Sequence, residues 1–563
     1  MVNSSAPDGD AHRATGTVTD RYEELYRAWR WQVPAHFNIA EACCRRWAGE
    51  RGRLALYWED ESGTRSAWTF WDIAREANRL SNALAALGVG RGDRVALLLP
   101  QRPETAIAYL AVFQMGAIAL PLSHLFGPEA IEYRMAHAEA VAAIVESATL
   151  PALEAVHEKL PALRHVIGVG GAHGPRVLDW EGLLARASSR YEAVATRADD
   201  PALIIYTSGT TGAPKGALHA HRVLLGNLPG FVHSHDFFPQ PGDLFWSPAD
   251  WAWAGGLFDA LLPSWYYGVP LLGYRGRFDP ERAYALIERY GVRSAFLFPT
   301  ALKMMMKAVP EPRRRYDLAL RSLMSAGEPV GVTVFEWVRA ELGVTLNEMY
   351  GQTEINYVVG NCQSAWPVKP GAIGRAYPGH RVAVLDETGR ERPPGELGEI
   401  AVHRIAPDGT PDPVFFLEYW KNPEATRAKF VGDWALTGDQ ARQDADGVLW
   451  FQGRSDDVIK SSGYRIGPAE IENCLLRHAA VANAAVIGKP DATRGQIVKA
   501  FVVLQPGTVT SPDLAEELRA HVRARLAAYE VPREIEFVAA LPMTTTGKVQ
   551  RRELRRREEQ ADR

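Results

Sequence analysis

Cysteine is scarce in this sequence, with four residues in a chain of 563. So few cysteines in a chain of this length indicate a reducing compartment rather than a disulfide framework. No Cys-x-x-Cys pair is present, so no zinc site of that type is expected. Cys43 and Cys44 are adjacent, and we expect them in the core or on a helix face.

Long apolar runs and a strong net charge are also lacking. No apolar stretch reaches the about 18 residues of a transmembrane helix, and the N-terminus has no apolar core of a secretory signal. Acidic residues near the start argue against a mitochondrial presequence. The net charge of −4 argues against general binding to nucleic acid or anionic membranes. Together these absences predict a cytoplasmic protein.

The remaining composition is that of a globular protein, 47% hydrophobic and 23% charged. A chain of this length is expected to build several cores. From about residue 55, strand and helix patterns alternate, which predicts an α/β fold with two helix-covered, mostly parallel sheets. We predict a disordered N-terminus at 1–20, a large domain at 21–454 with helices at 21–50 and a β-rich subdomain at about 380–453, and a small mobile α+β domain at 455–563.

The stretch 206–216, Tyr-Thr-Ser-Gly-Thr-Thr-Gly-Ala-Pro-Lys-Gly, is rich in glycine and hydroxyl groups. It follows a predicted buried strand at 201–205 and precedes a predicted short helix at 221–228. Glycines let the backbone approach a ligand closely, and hydroxyl and N–H groups can donate to phosphate oxygens. It is not a Walker loop, since Lys215 is followed by glycine. The predicted phosphate-binding residues are Thr207, Ser208, Gly209, Thr210, Thr211, Gly212 and Lys215.

A second motif, Glu-Met-Tyr-Gly-Gln-Thr-Glu at 348–354, follows a predicted strand at 343–347. Tyr350 can stack on a flat base, and Gln352 and Thr353 can hydrogen-bond a ligand. The carboxylate of Glu354 suits Mg²⁺, which prefers a few carboxylates together with phosphate oxygens.

Two further charged residues fit the same chemistry. Asp439 ends a predicted strand, and a carboxylate can accept hydrogen bonds from both vicinal hydroxyls of a ribose. Lys548 follows Thr-Thr-Thr-Gly near the end of the chain. A lysine there can bring a point charge to two oxyanions at once, which would stabilise attack of a carboxylate on a phosphorus atom.

Taken together, these motifs resemble those of the adenylate-forming superfamily, which includes acyl-CoA synthetases, peptide-synthetase adenylation domains and luciferases. The resemblance extends from about residue 30 to about residue 555, and the medium-chain and acetyl-CoA synthetases are the most similar groups. It implies an AMP-forming acid–thiol ligase that uses a carboxylic acid, ATP with Mg²⁺ and coenzyme A, without a redox cofactor. Thr207, Glu354 and Lys548 match catalytic positions. The resemblance adds these nucleotide contacts: Gly327, Glu328, Pro329, Glu348, Met349, Tyr350, Gly351, Gln352, Thr353, Asp439, Arg454 and Arg465.

The C-terminal residues take their expected roles from the same resemblance. Asp456 matches the hinge about which the small domain turns. Ser462, Gly463 and Tyr464 match the border of the pantetheine tunnel. Matches to the CoA nucleotide contacts are Arg494, Arg523 and Arg533, and matches to a cation site are His478 and Val481. The arginines between 551 and 557 alternate with glutamates and predict a solvated helix face.

The acyl pocket is the least determined part. Acetyl-specific relatives carry a tryptophan immediately before Gln-Thr-Glu, where this chain has Gly351, so we expect space for a medium or branched acyl group. The walls are expected from Trp251, Trp253, Gly255, Gly256, Leu257 and Asp259.

Several alternatives remain open. The acid could instead be acetate, propionate or a benzoate. The acceptor could be a carrier protein rather than CoA, although the sequence has no carrier domain after Lys548, and the chain could be a non-catalytic nucleotide-binding protein. The sequence also leaves open whether the chain forms a homodimer and whether a lysine acetyltransferase and deacetylase act on Lys548.

Overall fold

The computed structural model describes residues 19–207, 213–454, 457, 459–461, 464–491, 495–526, 528–543 and 549–561. Within them, two large mixed sheets are mostly parallel. The first has nine strands in the spatial order Arg375–Ala376, Ile355–Gly360, Leu346–Gln352, Ser322–Ala326, Ser294–Phe296, Phe245–Trp246, Leu271–Arg275, Leu54–Asp60 and Arg65–Thr69. The second has eight, in the order Glu418–Tyr419, Lys215–Ala220, Pro201–Thr207, Ile118–Pro121, Arg94–Leu98, Ala142–Glu146, His165–Val169 and Val177–Asp179.

Helices cover these sheets, and one apolar core joins residues of both sheets. Helix Pro103–Gln114 lies in that core and buries every residue except Glu104, which explains why its sequence is apolar all round. Helix Phe70–Ala86 begins with a capping box at Thr69 and Asp72, so its first backbone N–H groups are satisfied. The other described α-helices of the large domain are Tyr22–Ala28, Pro128–Ala138, Leu150–Glu154, Trp180–Arg186, Val223–Ser234, Ala254–Gly256, Leu262–Tyr266, Pro280–Tyr290, Pro299–Ala308, Val332–Trp337 and Pro423–Ala428.

A smaller sheet follows in the sequence, and all its described pairs are antiparallel. Its strands are Arg381–Leu385, Leu397–His403, Trp434–Gln443, Phe430–Val431 and Leu449–Arg454. The C-terminal part combines helices Pro468–Leu476, Pro512–Arg523 and Arg551–Ala561 with the strands Ile459–Ser461, Tyr464–Ile466, Val481–Asp491, Gly495–Leu504 and Glu534–Phe537. The predicted fold class is therefore confirmed.

Three local predictions differ from the structure. The predicted helix at 221–228 is present as Val223–Ser234, but the phosphate loop leads first into a strand, Lys215–Ala220, that was not predicted. Thr437 and Asp439 lie inside a ten-residue strand rather than at its end, because the strand continues past them to pair with Leu449–Arg454. The 21–50 segment is mostly irregular, with one α-helix, Tyr22–Ala28, and one π-helical turn, Glu41–Arg45.

All four cysteines are free and buried, as expected for Cys43 and Cys44. In the described part of the chain, every helix is too short or too polar to cross a bilayer. The predicted disordered segment lies almost entirely outside the described residues, which begin at 19.

Candidate active site

The predicted phosphate loop connects two antiparallel strands. Thr207 ends one strand and pairs with Lys215, the first residue of the other. The hydroxyl of Thr207 donates to the backbone oxygen of Lys215 at 3.4 Å. Ser208, Gly209, Thr210, Thr211 and Gly212 lie outside the described residues. The structure therefore fixes both ends of this loop on the second and third strands of the eight-stranded sheet.

Tyr419 brings this loop next to the second motif. It lies on the edge strand that pairs with Lys215–Ala220. The ammonium of Lys215 is 5.1 Å from the centre of the Tyr419 ring, and the Tyr419 hydroxyl donates to Oε1 of Glu354 at 2.5 Å. Burial, followed by the charge of Glu354, raises the pKa of Tyr419, which keeps this hydroxyl a donor. A cation and a carboxylate are thus arranged around one phenol ring.

The second motif lies on a hairpin rather than after a strand. Strand Leu346–Gln352 carries most of it, and Thr353 and Glu354 form the turn into strand Ile355–Gly360. The side chains of Tyr350 and Gln352 on this hairpin donate hydrogen bonds to Asp439 of the antiparallel subdomain. The motif therefore connects the nine-stranded sheet with the subdomain that follows it.

Asp439 receives several contacts on its two oxygens. The Tyr350 hydroxyl and the Gln352 amide both donate to Oδ2, at 2.6 and 2.7 Å. Nη1 of Arg454, from the paired strand, lies 3.6 Å from Oδ1. Burial raises the pKa of Asp439 above its ordinary value, although Arg454 and the two donors oppose this shift. The structure thus brings together both residues predicted to contact a ribose.

Gln352 is also held by its other amide atoms. Its nitrogen donates a second hydrogen bond to the backbone oxygen of Thr437 at 2.7 Å, and its oxygen accepts from Nζ of Lys429 at 2.9 Å. Both hydrogens of the Gln352 amide are therefore used by the protein. The prediction that Gln352 hydrogen-bonds a ligand is limited to its oxygen in this arrangement.

Glu348 and the segment 327–329 lie behind this cluster. Glu348 is 5% exposed and accepts from the backbone N–H of Val330 at 3.3 Å. Burial raises the pKa of Glu348 to about 8, so the carboxyl group is mostly protonated at neutral pH. Glu328 accepts from the Thr300 hydroxyl at 3.0 Å. The first contact ties the segment after 327–329 to the strand that carries the second motif, and the second ties Glu328 to helix Pro299–Ala308.

The predicted acyl-pocket residues lie near a buried polar pair. The Asn356 amide donates to Oδ1 of Asp259, and a Cβ built on Gly255 would lie 3.8 Å from Oδ2 of Asp259. Burial raises the pKa of Asp259 well above its ordinary value. Trp251 is a core residue, and the Trp253 ring packs edge-on against Phe126. Leu257 and Gly256 are also buried.

The structure contradicts the reason given for including Gly351 in that pocket. A Cβ built on Gly351 would lie 2.5 Å from the backbone nitrogen of Tyr357 and 3.0 Å from Cα of Asn356. In this hairpin the missing side chain therefore points at the neighbouring strand, not into open space. The glycine is required for close approach of the two strands.

Most of the predicted C-terminal site residues cannot be placed. Asp456, Ser462, Gly463, Arg494 and Lys548 lie outside the described residues. Tyr464 and Arg465 belong to strand Tyr464–Ile466, and only their backbone is described. Arg523 is exposed on its helix, 4.0 Å from Glu516, and the backbone N–H of Arg533 donates to Val498.

His478, predicted to belong to a cation site, contacts an acidic side chain. Its Nε2 lies 3.1 Å from Oε1 of Glu517, and the backbone oxygen of Val481 accepts from Gln505. Over the ranges that the structure describes, no group of three or more potential metal ligands is present.

The prediction of a solvated face for the last helix was wrong for two arginines. Arg551 forms three hydrogen bonds with the carboxylate of Glu472, at 2.6, 2.7 and 3.2 Å, and lies 3.5 Å from Asp457. Arg555 also pairs with Asp457. Arg551 stands three residues after Lys548, and Asp457 directly follows the predicted hinge. The last helix is therefore tied to the residue that follows the hinge.

Sequence reasoning missed Tyr419, Lys429, Asn356 and Glu399. Glu399 accepts from the backbone N–H of Gly438, next to Asp439, at 2.7 Å. No local pattern distinguishes these residues, because each makes its contact with a residue far away in the sequence. The closest signal is the position of Lys429, ten residues before Asp439 in the hairpin that carries it.

Comparison with known proteins agrees with this arrangement. The family profile described as AMP-binding enzyme matches residues 44–406, and the profile described as AMP-binding enzyme C-terminal domain matches 470–548. An uncharacterized acyl–CoA ligase of Bacillus subtilis, YtcI, is 37% identical over 531 residues, covering 94% of this chain and 97% of its own. The acetyl-coenzyme A synthetase of the same organism is 36% identical over 550 residues, covering 95% and 94%. The crystal structure of the anthranilate CoA ligase AuaEII in complex with anthranoyl-AMP superposes with a TM-score of 0.86 at 30% identity, covering 94% and 99%.

Proposed function

Because this chain belongs to the AMP-binding enzyme family, we propose that it activates a carboxylic acid with a medium-length or branched acyl group. Its reaction is that of an AMP-forming acyl-CoA ligase, in which a carboxylic acid, ATP and CoA give acyl-CoA, AMP and pyrophosphate. A carboxylate has too poor a leaving group for direct attack by a thiolate. Adenylation solves this problem because AMP leaves readily.

The observation that carries the proposal is the convergence of two clusters on one hairpin. Tyr350 and Gln352 meet Asp439 at one end of the motif, and Glu354 meets Tyr419 beside Lys215 at the other. The first cluster suits a ribose, whose hydroxyls donate to a carboxylate. The second suits a triphosphate, since it includes a cation at the end of the phosphate loop.

Glu354 fits a role in binding Mg²⁺ with ATP. Magnesium is commonly held by one or two carboxylates together with phosphate oxygens and water, and Glu354 supplies one carboxylate at the phosphate end of the site. Magnesium, when bound, would neutralise phosphate charge during attack of the substrate carboxylate. Tyr419 would orient Glu354 for this role by donating to Oε1.

In the proposed sequence of steps, the substrate carboxylate attacks the α-phosphorus and pyrophosphate leaves. Lys548 stabilises the negative oxygens that come together in this step. The C-terminal domain then turns about Asp456, so that Lys548 withdraws and the segment 462–464 faces the site. The thiolate of CoA attacks the acyl carbon and AMP leaves.

The proposal for the acyl group rests on residue size. Gly255 adds no side chain next to the Asp259–Asn356 pair, whereas Gly351 gives no support because a Cβ there would meet the paired strand. The relatives include an acetyl-coenzyme A synthetase and a structure with anthranoyl-AMP, so the chain length has to be measured directly.

The decisive experiment measures AMP and pyrophosphate release with a panel of short, medium, branched and aromatic acids, with and without CoA. The highest kcat/KM is expected with a medium or branched acid, and acyl-CoA formation is expected to require free CoA. The highest kcat/KM with acetate would overturn the assignment of the acyl group, and transfer only to a carrier protein would overturn the acceptor. Lys548→Ala should reduce adenylation by at least about 100-fold while supplied acyl-AMP is still converted to thioester.

A further inference from the structure

Lys429 lies next to the ribose cluster and makes an unusual contact there. Its Nζ lies 2.9 Å from Oε1 of Gln352, which is its one hydrogen-bond partner in the described part of the chain. No described carboxylate lies within 4.0 Å of this ammonium, although other lysines of the chain pair with acidic residues. The half-buried cation is therefore directed at a neutral amide.

This contact determines which way the Gln352 amide faces. With Lys429 on the oxygen, the nitrogen can donate to Thr437 and Asp439. Rotation of the amide by half a turn would place its nitrogen against an ammonium and its oxygen against two other oxygens. Both changes are unfavourable, because each removes hydrogen bonds and brings like partners together.

The orientation of Gln352 matters because it shares an acceptor with Tyr350. Both residues donate to Oδ2 of Asp439, which holds the carboxylate in one rotamer. Held in this way, Asp439 keeps the lone pairs of Oδ1 for further donors, since Oδ2 already accepts two hydrogen bonds. Loss of one of the two donors would leave the carboxylate less well oriented for a ligand.

From these contacts we propose that Lys429 is a positioning residue for nucleotide binding: it orients Gln352, which orients Asp439 toward the ribose hydroxyls of ATP. The inference rests on the proposed nucleotide site. Lys429 does not need to touch the nucleotide, and it would set the preference of the site for an intact ribose.

The charges around Lys429 are consistent with this role. The charged groups that act on Lys429 are the carboxylates of Glu354 on the motif turn, Asp439 on strand Trp434–Gln443 and Glu399 on strand Leu397–His403, together with the guanidinium of Arg454. Burial lowers the pKa of Lys429, and Glu354 and Asp439 oppose that shift. The carboxylates therefore favour the protonated lysine on which the contact with Gln352 depends.

The first test compares Lys429→Met and Lys429→Gln, using ATP and 3′-deoxyATP. The Met variant should lose about tenfold in kcat/KM for ATP, the effect of removing one charge-assisted hydrogen bond. Its loss with 3′-deoxyATP should be smaller, so the preference for ATP falls toward one. The Gln variant can still donate to Gln352 and should retain most of that preference. Equal losses with both nucleotides in Lys429→Met would overturn the proposal.

The second test is a double-mutant cycle with Gln352→Leu. If Lys429 acts through Gln352, the Met substitution should cause no further change in the Leu background. Calorimetric binding of AMP and 3′-deoxyAMP gives the same comparison without turnover. Independent, additive losses in binding would show that Lys429 acts by another route, and would overturn the proposal.

Two controls keep the results interpretable. Lys369→Met removes a lysine that pairs with Asp444 and Asp446 outside the site, and should leave the ribose preference unchanged. Thermal unfolding of each variant shows whether it folds. If Lys429→Met does not fold, the comparison of ATP with 3′-deoxyATP is made with Lys429→Gln. If the wild-type protein forms no AMP from ATP, the proposed function itself fails. An active wild-type enzyme with an unchanged ribose preference in the variants rejects only the role of Lys429.

Discussion

The hydroxyl of Tyr419 donates to Oε1 of Glu354 across 2.5 Å, and the ring of the same tyrosine lies beside the ammonium of Lys215. One residue from an edge strand therefore contacts both the end of the phosphate loop and the candidate magnesium ligand. Sequence separation hides this relationship, since Tyr419 comes 65 residues after Glu354 in the chain.

We expect Tyr419→Phe to lower kcat/KM for MgATP by about tenfold, because Glu354 loses its charge-assisted hydrogen bond. The contact between the Lys215 ammonium and the aromatic ring is retained in this variant. Steady-state kinetics at varied ATP and Mg²⁺ would check this. Tyr26→Phe is the matched control, since the Tyr26 hydroxyl donates to the backbone of His380 outside the site. Unchanged kinetics in Tyr419→Phe would argue against a role of Tyr419 in orienting Glu354.

Glu348→Gln should change how stability depends on pH. The folded-state pKa of Glu348 is about 8, above its ordinary value of 4.5, because burial disfavours the charged form. Between these values the folded protein binds a proton that the unfolded chain has lost, so stability falls as pH rises, by up to about 1.4 kcal/mol per unit. The amide cannot ionise, and the variant should gain stability relative to wild type across that window.

Urea unfolding at pH 5 to 8 measures this difference. Glu23→Gln replaces an exposed carboxylate and should leave the pH dependence unaltered. Parallel curves for wild type and Glu348→Gln would mean that Glu348 is not held neutral in the folded protein.

Gly351→Ala should destabilise the protein by about 1–3 kcal/mol, because the added methyl group meets the backbone of Tyr357 and the hairpin must separate. Gly351→Trp should destabilise the protein further, and its effect should not be limited to a narrower acyl pocket. Thermal unfolding tests this, with Gly52→Ala as control, since a Cβ at Gly52 has no neighbour within 4 Å. A stable Gly351→Trp variant with a shifted acid preference would restore the pocket interpretation.

Arg551→Met should lower the free energy of unfolding of the C-terminal domain by about 3 kcal/mol, because Glu472 would be left buried without its cation. Arg556→Met is the matched control: Arg556 pairs with Glu553 on the same exposed helix face and should matter little. Calorimetry of both variants measures their unfolding temperatures and tests this difference. Equal unfolding temperatures would mean that the contact with Glu472 contributes nothing to stability.

Much of the fold could be predicted from short-range pattern alone. Buried strands such as Arg94–Leu98 are continuous apolar runs, and Phe70–Ala86 has clear helical spacing and a cap. The motif residues Tyr350, Asp439 and Arg454 were predicted together, and the structure places them together. Thr437 and Asp439 were misplaced at a strand end because a turn-like Thr-Gly-Asp can also form a bulge within a longer strand, as it does here opposite strand Leu397–His403.

Other features depend on pairing between distant segments. A Cβ at Gly351 would meet Tyr357 because of the way the second strand of the hairpin pairs with the first. The local sequence does not determine this pairing. The sequence around Lys429 and Tyr419 does not mark them as site residues, because their partners Gln352 and Glu354 lie far away in the chain. Such contacts carry no periodic signal, so they emerge only from the tertiary structure.

The short strand Glu418–Tyr419 also closes the open margin of the eight-stranded sheet. Leu417 and Trp420 donate backbone hydrogen bonds to Leu218 and Gly216 at 2.7 Å. If this segment detached, the bare backbone of Lys215–Ala220 could recruit other chains into intermolecular pairing. Substitutions at 417–420 that detach this segment would therefore lower solubility as well as activity. Insoluble protein from such variants would result from an exposed sheet edge and not from a defect in the reaction.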